Sequence, residues 1–234
     1  PQAASGILSE QRLASIQKAI LGDTALIPYS GYRKSPVFVG QTTHHSQVVH
    51  YLAPPAEDVA AMLEGIEIFL DRTQHQSPVM RAAIASFGFV YVHPLIDGNG
   101  RVHRFLITDI LRRDGATSQD VILPVSVAIN DDPTSRRAYD DVLDKISAPL
   151  MSQIRSHISF ASKPTIYPDG VESDLIFSDE DLARPTWRYA NYVPHVIYLA
   201  DIINTTIVHH MRDEALYLRN HDNARLDLKE ICEM

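Results

Sequence analysis

Residues 93–104 combine residue types that can bind phosphate and move a proton. Gly98 and Gly100 allow positive φ angles and a close approach of a ligand to the backbone. A turn of this kind, followed by the unpaired N–H groups of a new helix, is typical of an anion site. Arg101 and Arg104 lie three residues apart on that predicted helix, so both guanidinium groups can reach phosphate oxygens from one side. The combination indicates a polyphosphate ligand.

Two neighbours of the glycine turn could act on such a ligand. Asp97 supplies a carboxylate beside the turn, and Mg²⁺ in proteins is commonly held by one or two carboxylates together with substrate oxygens. His93 ends the preceding apolar helix. A neutral imidazole there can accept a proton from an attacking hydroxyl, an effect typically worth about 10²–10⁴-fold in rate. The stretch therefore predicts a base, a metal ligand and phosphate contacts in one place.

Other interpretations fit these residues less well. A calcium loop would need an oxygen ligand and a glycine where Arg101 and Val102 stand, and a Walker loop would need a lysine after the glycines. A lone histidine is more often a core residue than a base. The spacing of His93 to Asp97 and the arginines favours the base.

The stretch resembles the signature motif of the Fic family. That motif is His-Pro-Phe, a spacer residue, an acidic residue, Gly-Asn-Gly-Arg, and an arginine three positions later. The matching residues are His93, Pro94, Asp97, Gly98, Asn99, Gly100, Arg101 and Arg104, whereas Leu95 replaces the usual phenylalanine, an apolar core anchor. The resemblance implies transfer of AMP from ATP to a Ser, Thr or Tyr hydroxyl of an unidentified target protein.

The resemblance also assigns roles. It implies that His93 is the base, that Asp97 holds Mg²⁺, and that Asn99 holds phosphate together with the two glycine amides. Arg101 and Arg104 would neutralise the β- and γ-phosphates. Outside the motif, the nucleotide-binding set would include Val39, Gly40 and Tyr139.

Val39 and Gly40 lie in a segment that also resembles part of the Fic family. The run of residues 31–40 is similar to the one that leads into the family's flap, a hairpin that aligns the main chain of the target. Tyr139 resembles an aromatic residue that closes the adenine pocket, although Asp140 stands where a second tyrosine is often found.

Many Fic proteins share an inhibitory helix with Ser or Thr, three further residues, Glu, and then Gly or Asn. The nearest candidate is Glu64-Gly65, but Ala60 occupies the Ser/Thr position. The inhibitor would then lie upstream of Pro1, be supplied by another chain or be absent. We expect it upstream, because larger family members with a similar helical extension usually carry it there. Two alternatives stay open: a nucleotide-sensing regulatory protein, and a Fic enzyme that removes AMP or transfers another phosphoryl-type group.

The elements that must position the motif are predicted to be mainly helical. The pattern predicts a mainly α fold with a small β-hairpin. The resemblance implies that these elements form a Fic-type helical bundle in which the hairpin is the flap. Helices are expected from Ser9 to near Gly22, over 56–72 and 78–92, from the glycine turn to Gly115, and from Pro133 to an interruption at Pro149; hairpin arms are expected at 37–39 and 48–51, and a strand or apolar connection at 122–129.

The chain is predicted to divide into three parts. Residues 1–160 would form the catalytic core, and residues 161–185, with three prolines and Gly170, an exposed linker. Residues 186–234 would form a helical extension. Because the chain starts at Pro1, we expect a longer protein, with any DNA-binding region outside these residues.

The composition limits the partners. A formal net charge of −8 argues against nucleic-acid binding by this chain, and no stretch is apolar enough to suggest a membrane anchor. The single cysteine, Cys232, permits no internal disulfide, which favours a cytoplasmic location. Apolar positions in the last predicted helices leave a homodimer open.

Overall fold

The computed structural model describes residues 6–22, 29–42, 47–117, 123–130 and 132–212. Within these residues the fold is mainly α with a small β-hairpin near the N-terminus, as predicted, and a second small antiparallel sheet that was not predicted. The helices are α1 Glu10–Leu21, α2 Val59–Arg72, α3 Pro78–Val92, α4 Asn99–Arg113, α5 Val125–Asn130, α6 Pro133–Ile154, α7 Glu180–Arg188 and α8 Val193–Thr205. The strands are β1 Phe38–Thr42, β2 Gln47–Leu52, β3 Ile158–Ile166 and β4 Glu172–Phe177. Short 3₁₀ turns (Ala56–Asp58 and Arg155–His157) and a π-helical segment (Thr206–Arg212) complete the described elements.

Helix α3 lies at the centre of the core. Ser77 caps it by accepting a hydrogen bond from the Met80 N–H, and Pro78 occupies the first turn. The helix packs against α2, α4 and α8, which explains why nearly all its faces are apolar. Because α3 ends at Val92, this packing places His93 at a rigid point of the fold.

The β1–β2 hairpin, which we call the flap hairpin, agrees with its predicted position. Its register shifts between Val39 and Gly40, which marks a bulge. A Cβ on Gly40 would lie 2.1 Å from the carbonyl oxygen of Val48. Only glycine allows the two strands to approach this closely.

The predicted linker at residues 161–185 is wrong as a description of local structure. Strands β3 and β4 form a second hairpin through this region, and α7 begins at Glu180. Two of the three prolines that suggested a linker lie where the ladder is interrupted: Pro164 in the register shift between Phe160 and Thr165, and Pro168 in the turn. The third, Pro185, lies inside α7. Prolines at bulges and turns therefore did not prevent pairing.

Asp169, in the turn of the second hairpin, joins that hairpin to the segment before β1. Its Oδ2 accepts hydrogen bonds from the Lys34 N–H (2.5 Å), the Ser35 N–H (2.8 Å) and the Ser35 hydroxyl (2.9 Å). Burial alone would raise the pKa of Asp169, but these hydrogen bonds to the charged form hold it below its usual value. Phe160 also packs edge-on against Phe38, with ring centroids 5.8 Å apart. The second hairpin thus supports the base of the flap hairpin.

Replacing Asp169 by asparagine is expected to lower the free energy of unfolding at pH 7 by about 1–3 kcal/mol, because the new NH₂ group would face backbone donors. A carboxyl with a depressed folded pKa stabilises fully above its unfolded pKa of about 3.9 and loses that effect as the pH falls through the folded value. The difference in the free energy of unfolding between parent and variant should therefore narrow between pH 5 and pH 3. Urea unfolding across this range checks it, with Asp174→Asn on β4 as the control. A stability difference that is equal at every pH would contradict the role given to the ionised Asp169 carboxylate.

Two smaller expectations were also wrong. Helix α6 continues through Pro149 to Ile154. The buried side chains of Leu150 and Met151 after the proline offset the roughly 3 kcal/mol that a proline costs inside a helix. The region expected as a strand or connection forms α5 in its described part, directly after Pro124, while Ile122 lies outside the described residues.

Helix α8, from the predicted extension, packs against α3. His195 Nε2 lies 2.7 Å from the Tyr91 hydroxyl, and Leu199 is fully buried. The extension therefore contributes to the core at least through α8, whereas residues 213–234 lie outside the described part. Among the described helices, none is long and apolar enough to cross a membrane.

Candidate active site

His93 caps the C-terminus of α3 in the left-handed conformation, with φ +49°. Its backbone N–H donates to the Phe89 carbonyl at 3.0 Å, which closes the last turn of the helix. A positive φ is uncommon for a residue with a side chain. This geometry turns the chain sharply from the buried helix into the glycine turn.

The imidazole of His93 has a defined tautomer. Nδ1 lies 3.1 Å from the carbonyl oxygen of Val90, and since a carbonyl only accepts, Nδ1 carries the proton and Nε2 presents its lone pair. Burial lowers the pKa of His93 to about 4, and the charge of Arg33 acts in the same direction. The side chain is therefore neutral and able to accept a proton at neutral pH.

Arg33 holds the main chain around His93. Its fully buried guanidinium donates from Nε to the His93 carbonyl at 2.7 Å and from Nη2 to the carbonyls of Pro54 (2.5 Å) and Val92 (3.3 Å). Nη1 donates to the Ser35 carbonyl at 2.9 Å. Burial lowers the pKa of Arg33 to about 10, so it stays charged at neutral pH, and its cation lies at the helix end where the dipole favours one.

The start of the glycine turn is closed by Asn99. Its Oδ1 accepts from the Leu95 N–H at 3.0 Å, and its Nδ2 donates to the Leu95 carbonyl at 2.7 Å. Leu95 itself is completely buried, as expected for the apolar anchor. The Asn99 amide is thus engaged inside the turn, and contact of Asn99 with phosphate remains a prediction.

The two glycines of the turn have different conformations. Gly98 has φ +91° and precedes α4, whose first turn leaves N–H groups without intrahelical acceptors. Gly100 was expected to share the positive φ, but it lies inside α4 with a helical backbone. A Cβ there would be 3.6 Å from Nη1 of Arg104. Gly98 therefore makes the turn, and Gly100 keeps the helix N-terminus free of a side chain.

The two motif arginines extend from α4. Arg101 is exposed, and Arg104 is partly buried with its Nε donating to the Ser126 hydroxyl of α5 at 3.1 Å. His103, between them, is fully buried and its Nδ1 bonds the Ser86 carbonyl at 2.9 Å. Its side chain lies in the core. Their spacing of three residues puts both arginines on one face of α4 near its N-terminus.

Asp97 fits a cation-binding role. Its Oδ2 is buried and has no hydrogen-bond partner within the described part of the chain, although buried polar atoms normally have one. No group of three His, Cys, Asp or Glu side chains in the described ranges is arranged to hold a metal ion. A magnesium ion would therefore be held by Asp97 together with oxygens of the nucleotide.

The outer predicted contacts lie around this centre. Tyr139 packs against Phe87, His103 and Tyr198 with ring centroids 5.9–6.3 Å apart. Burial raises its pKa to about 12 against the opposing effect of the nearby Arg104 charge. Val39 and Gly40 are exposed on the flap hairpin. Nucleotide contacts by Tyr139, Val39 and Gly40 remain predictions.

Three residues around the site were given no role by the sequence pattern. They are Arg33, Asp169 and Gln17, which is 3% exposed and donates to the Asp97 carbonyl at 2.9 Å. For Gln17 a signal existed, because it lies on the otherwise apolar buried face of α1. Arg33 and Asp169 lie in segments without a regular pattern, so periodicity could not single them out.

The sequence of residues 7–111 matches the family model described as the Fic/DOC family. The chain is 31% identical over 105 residues to the protein adenylyltransferase Fic of Drosophila grimshawi, a match that covers 44% of this chain and 20% of that protein. It is 30% identical over 106 residues to the protein of the same name from Drosophila melanogaster, covering 44% and 20%. The match thus spans about a fifth of the length of these curated relatives.

Two solved structures are similar to the chain. A Fic family protein from Desulfovibrio desulfuricans G20 aligns with a TM-score of 0.48 and 22% identity, over 85% of this chain and 46% of that one. A Fic domain containing signaling protein from Bacteroides thetaiotaomicron VPI-5482 aligns with a TM-score of 0.45 and 18% identity, over 85% and 63%.

Proposed function

We propose that this chain, which belongs to the Fic/DOC family through its residues 7–111, transfers AMP from ATP to a hydroxyl group of a target protein. The observation that carries the proposal is the tautomer of His93. Its Nδ1–H is held by the Val90 carbonyl, which leaves Nε2 as a base at the mouth of an anion-binding turn. Relatives named protein adenylyltransferase, 30–31% identical over the matched region, support the choice of AMP as the group transferred.

The proposed reaction is a displacement at the α-phosphorus of ATP. His93 Nε2 accepts the proton of the target hydroxyl as its oxygen bonds to the α-phosphorus, and the bond to the bridging oxygen breaks, so pyrophosphate leaves with that electron pair. The N–H groups at the start of α4, with Arg101 and Arg104, bind the β- and γ-phosphates and stabilise the developing charge. A magnesium ion held by Asp97 supplies further neutralisation of phosphate charge when bound.

The flap hairpin is proposed to position the target. Its strand β1 carries the exposed Val39 and Gly40, and the bulge between them interrupts the regular ladder. Because Arg33 bonds both the His93 carbonyl and main-chain carbonyls at either end of the flap hairpin, the hairpin and the base form one unit. A target main chain bound along the flap would hold its hydroxyl at a fixed position relative to Nε2.

The test is incubation of the chain with magnesium and cell lysate, in parallel with ATP radiolabelled at the α- and at the γ-phosphate. Label counts only where it is absent from the same lysate without the chain. We expect such chain-dependent label, on the chain itself or on a lysate protein, from the α-labelled nucleotide alone. Label from γ-labelled ATP would indicate phosphate transfer instead. No label from either nucleotide would overturn the proposal and favour a nucleotide-sensing role.

A further inference from the structure

Helix α1 contacts the glycine turn through a buried polar side chain. The buried residues of this helix are Leu13, Ile16, Gln17 and Leu21. Moving a primary amide out of water costs free energy unless its donor and acceptor groups find hydrogen-bond partners. A glutamine in this apolar row therefore needs a polar contact at its far end.

Both ends of the Gln17 amide are bonded. Nε2 donates to the Asp97 carbonyl at 2.9 Å, and Oε1 accepts from the Gly31 N–H at 3.2 Å. One side chain thus joins α1, the segment that leads to the flap hairpin, and the turn that follows His93.

The bond to the Asp97 carbonyl fixes a peptide plane that the site uses. The carbonyl of Asp97 and the N–H of Gly98 belong to the same rigid peptide unit, so holding one directs the other. Gly98, at φ +91°, has the backbone freedom that makes such a constraint matter. Leu21 packs over the same glycine, 3.3 Å from where a Cβ would stand.

The Asp97 carboxylate depends on this constraint. Its Oδ2 has no hydrogen-bond partner among the described residues, so no bond at that oxygen sets its direction. The position of the Asp97 backbone therefore sets the Cα–Cβ bond from which the carboxylate extends.

We propose that Gln17 is a positioning residue that aims the Asp97 carboxylate and the Gly98 N–H at the magnesium ion and phosphates of bound ATP. The proposal rests on the proposed function for its ligand. It adds a residue of α1, 80 positions away from Asp97 in the sequence, to the determinants of metal-dependent nucleotide binding.

The test compares Gln17→Met, which keeps an unbranched side chain but removes both polar ends, with Gln11→Leu on the exposed side of α1. Binding of a fluorescent ATP analogue is titrated with MgCl₂ and repeated without metal, and α-phosphate labelling is followed in parallel. For Gln17→Met we expect a 10–100-fold higher magnesium requirement, about the effect of removing a partner that orients a metal ligand. Metal-free nucleotide affinity should fall by a smaller factor, since only the Gly98 N–H contact is then affected, and Gln11→Leu should match the parent throughout.

A purely structural role would give a different result. It would lower the unfolding temperature and leave the magnesium requirement of the folded protein unchanged, which would overturn the proposal. If Gln17→Met does not fold, Gln17→Asn keeps the amide but shortens the side chain by one methylene, so that it cannot span both partners, and a rise in magnesium requirement is again expected. If the parent chain labels nothing yet binds nucleotide with magnesium, the proposed function fails while the binding titration still decides the role of Gln17.

Discussion

Replacing His93 by alanine is expected to lower the rate of α-phosphate labelling about 10²–10⁴-fold, the usual contribution of a positioned general base. Nucleotide binding should change little, because the anion site is built from α4 and the glycine turn and not from the imidazole. Initial rates of labelling, together with titration of a fluorescent ATP analogue, separate the two effects. His157→Ala, in the 3₁₀ turn before β3, is the matched control and should label like the parent.

The pH dependence follows from the low pKa of His93. Burial holds this pKa at about 4 in the free protein, so the imidazole is unprotonated and able to act as a base at every pH above that value. The kcat/KM for labelling should therefore stay constant as the pH falls through 6.5, the ordinary pKa of histidine. A loss of rate centred at pH 6.5, or a His93→Ala variant as active as the parent, would contradict the assignment of the base.

Replacing Arg33 by methionine is expected to lower the free energy of unfolding by at least about 3 kcal/mol. The guanidinium donates to four main-chain carbonyls, and a buried acceptor left without its partner costs about 1–3 kcal/mol. Labelling should also fall at temperatures where the variant is folded, because the His93 carbonyl and the base of the flap hairpin would no longer be joined. Urea unfolding and kcat at low temperature measure the two losses.

Two further variants sharpen the Arg33 prediction. Arg33→Lys keeps the positive charge at the end of α3 but cannot donate to all four carbonyls, so its stability should lie between parent and Arg33→Met. Arg137→Met, on the exposed side of α6, removes a surface arginine and should change stability by less than about 0.5 kcal/mol. If Arg33→Met and Arg137→Met unfold at the same urea concentration, the hydrogen bonds of Arg33 around His93 do not contribute to the stability of the fold.

Predictions from the sequence failed where the conformation of a residue depended on its contacts in the folded chain. Prolines 164 and 168 favoured a linker, yet a second hairpin forms there, because an irregular strand segment and a turn accommodate them. Gly100 looked equivalent to Gly98, but the helix begins one residue earlier and gives it a helical backbone. The bonds by which the Asn99 amide closes the turn on Leu95 were not predicted. In each case the alternative conformation satisfies local rules equally well.

The helices and the flap hairpin were predictable because their signals are local. Apolar spacing, prolines at helix starts and glycines at turns act within a few residues, and α1, α3, α4 and the β1–β2 hairpin appear close to their predicted bounds. These signals could not say which element packs on which. The contact of α8 with α3, for example, is decided by the shape of the whole core.

The sequence by itself determined the chemical content of the candidate site, since the base, the carboxylate, the glycine turn and both arginines lie within residues 93–104. Only the tertiary structure decided what holds them in place. The bonds of Arg33 to His93, Gln17 to Asp97 and Asp169 to Ser35 span 60, 80 and 134 residues. Such contacts exist only after the chain has collapsed around α3, because no local pattern brings residues so far apart within hydrogen-bonding distance.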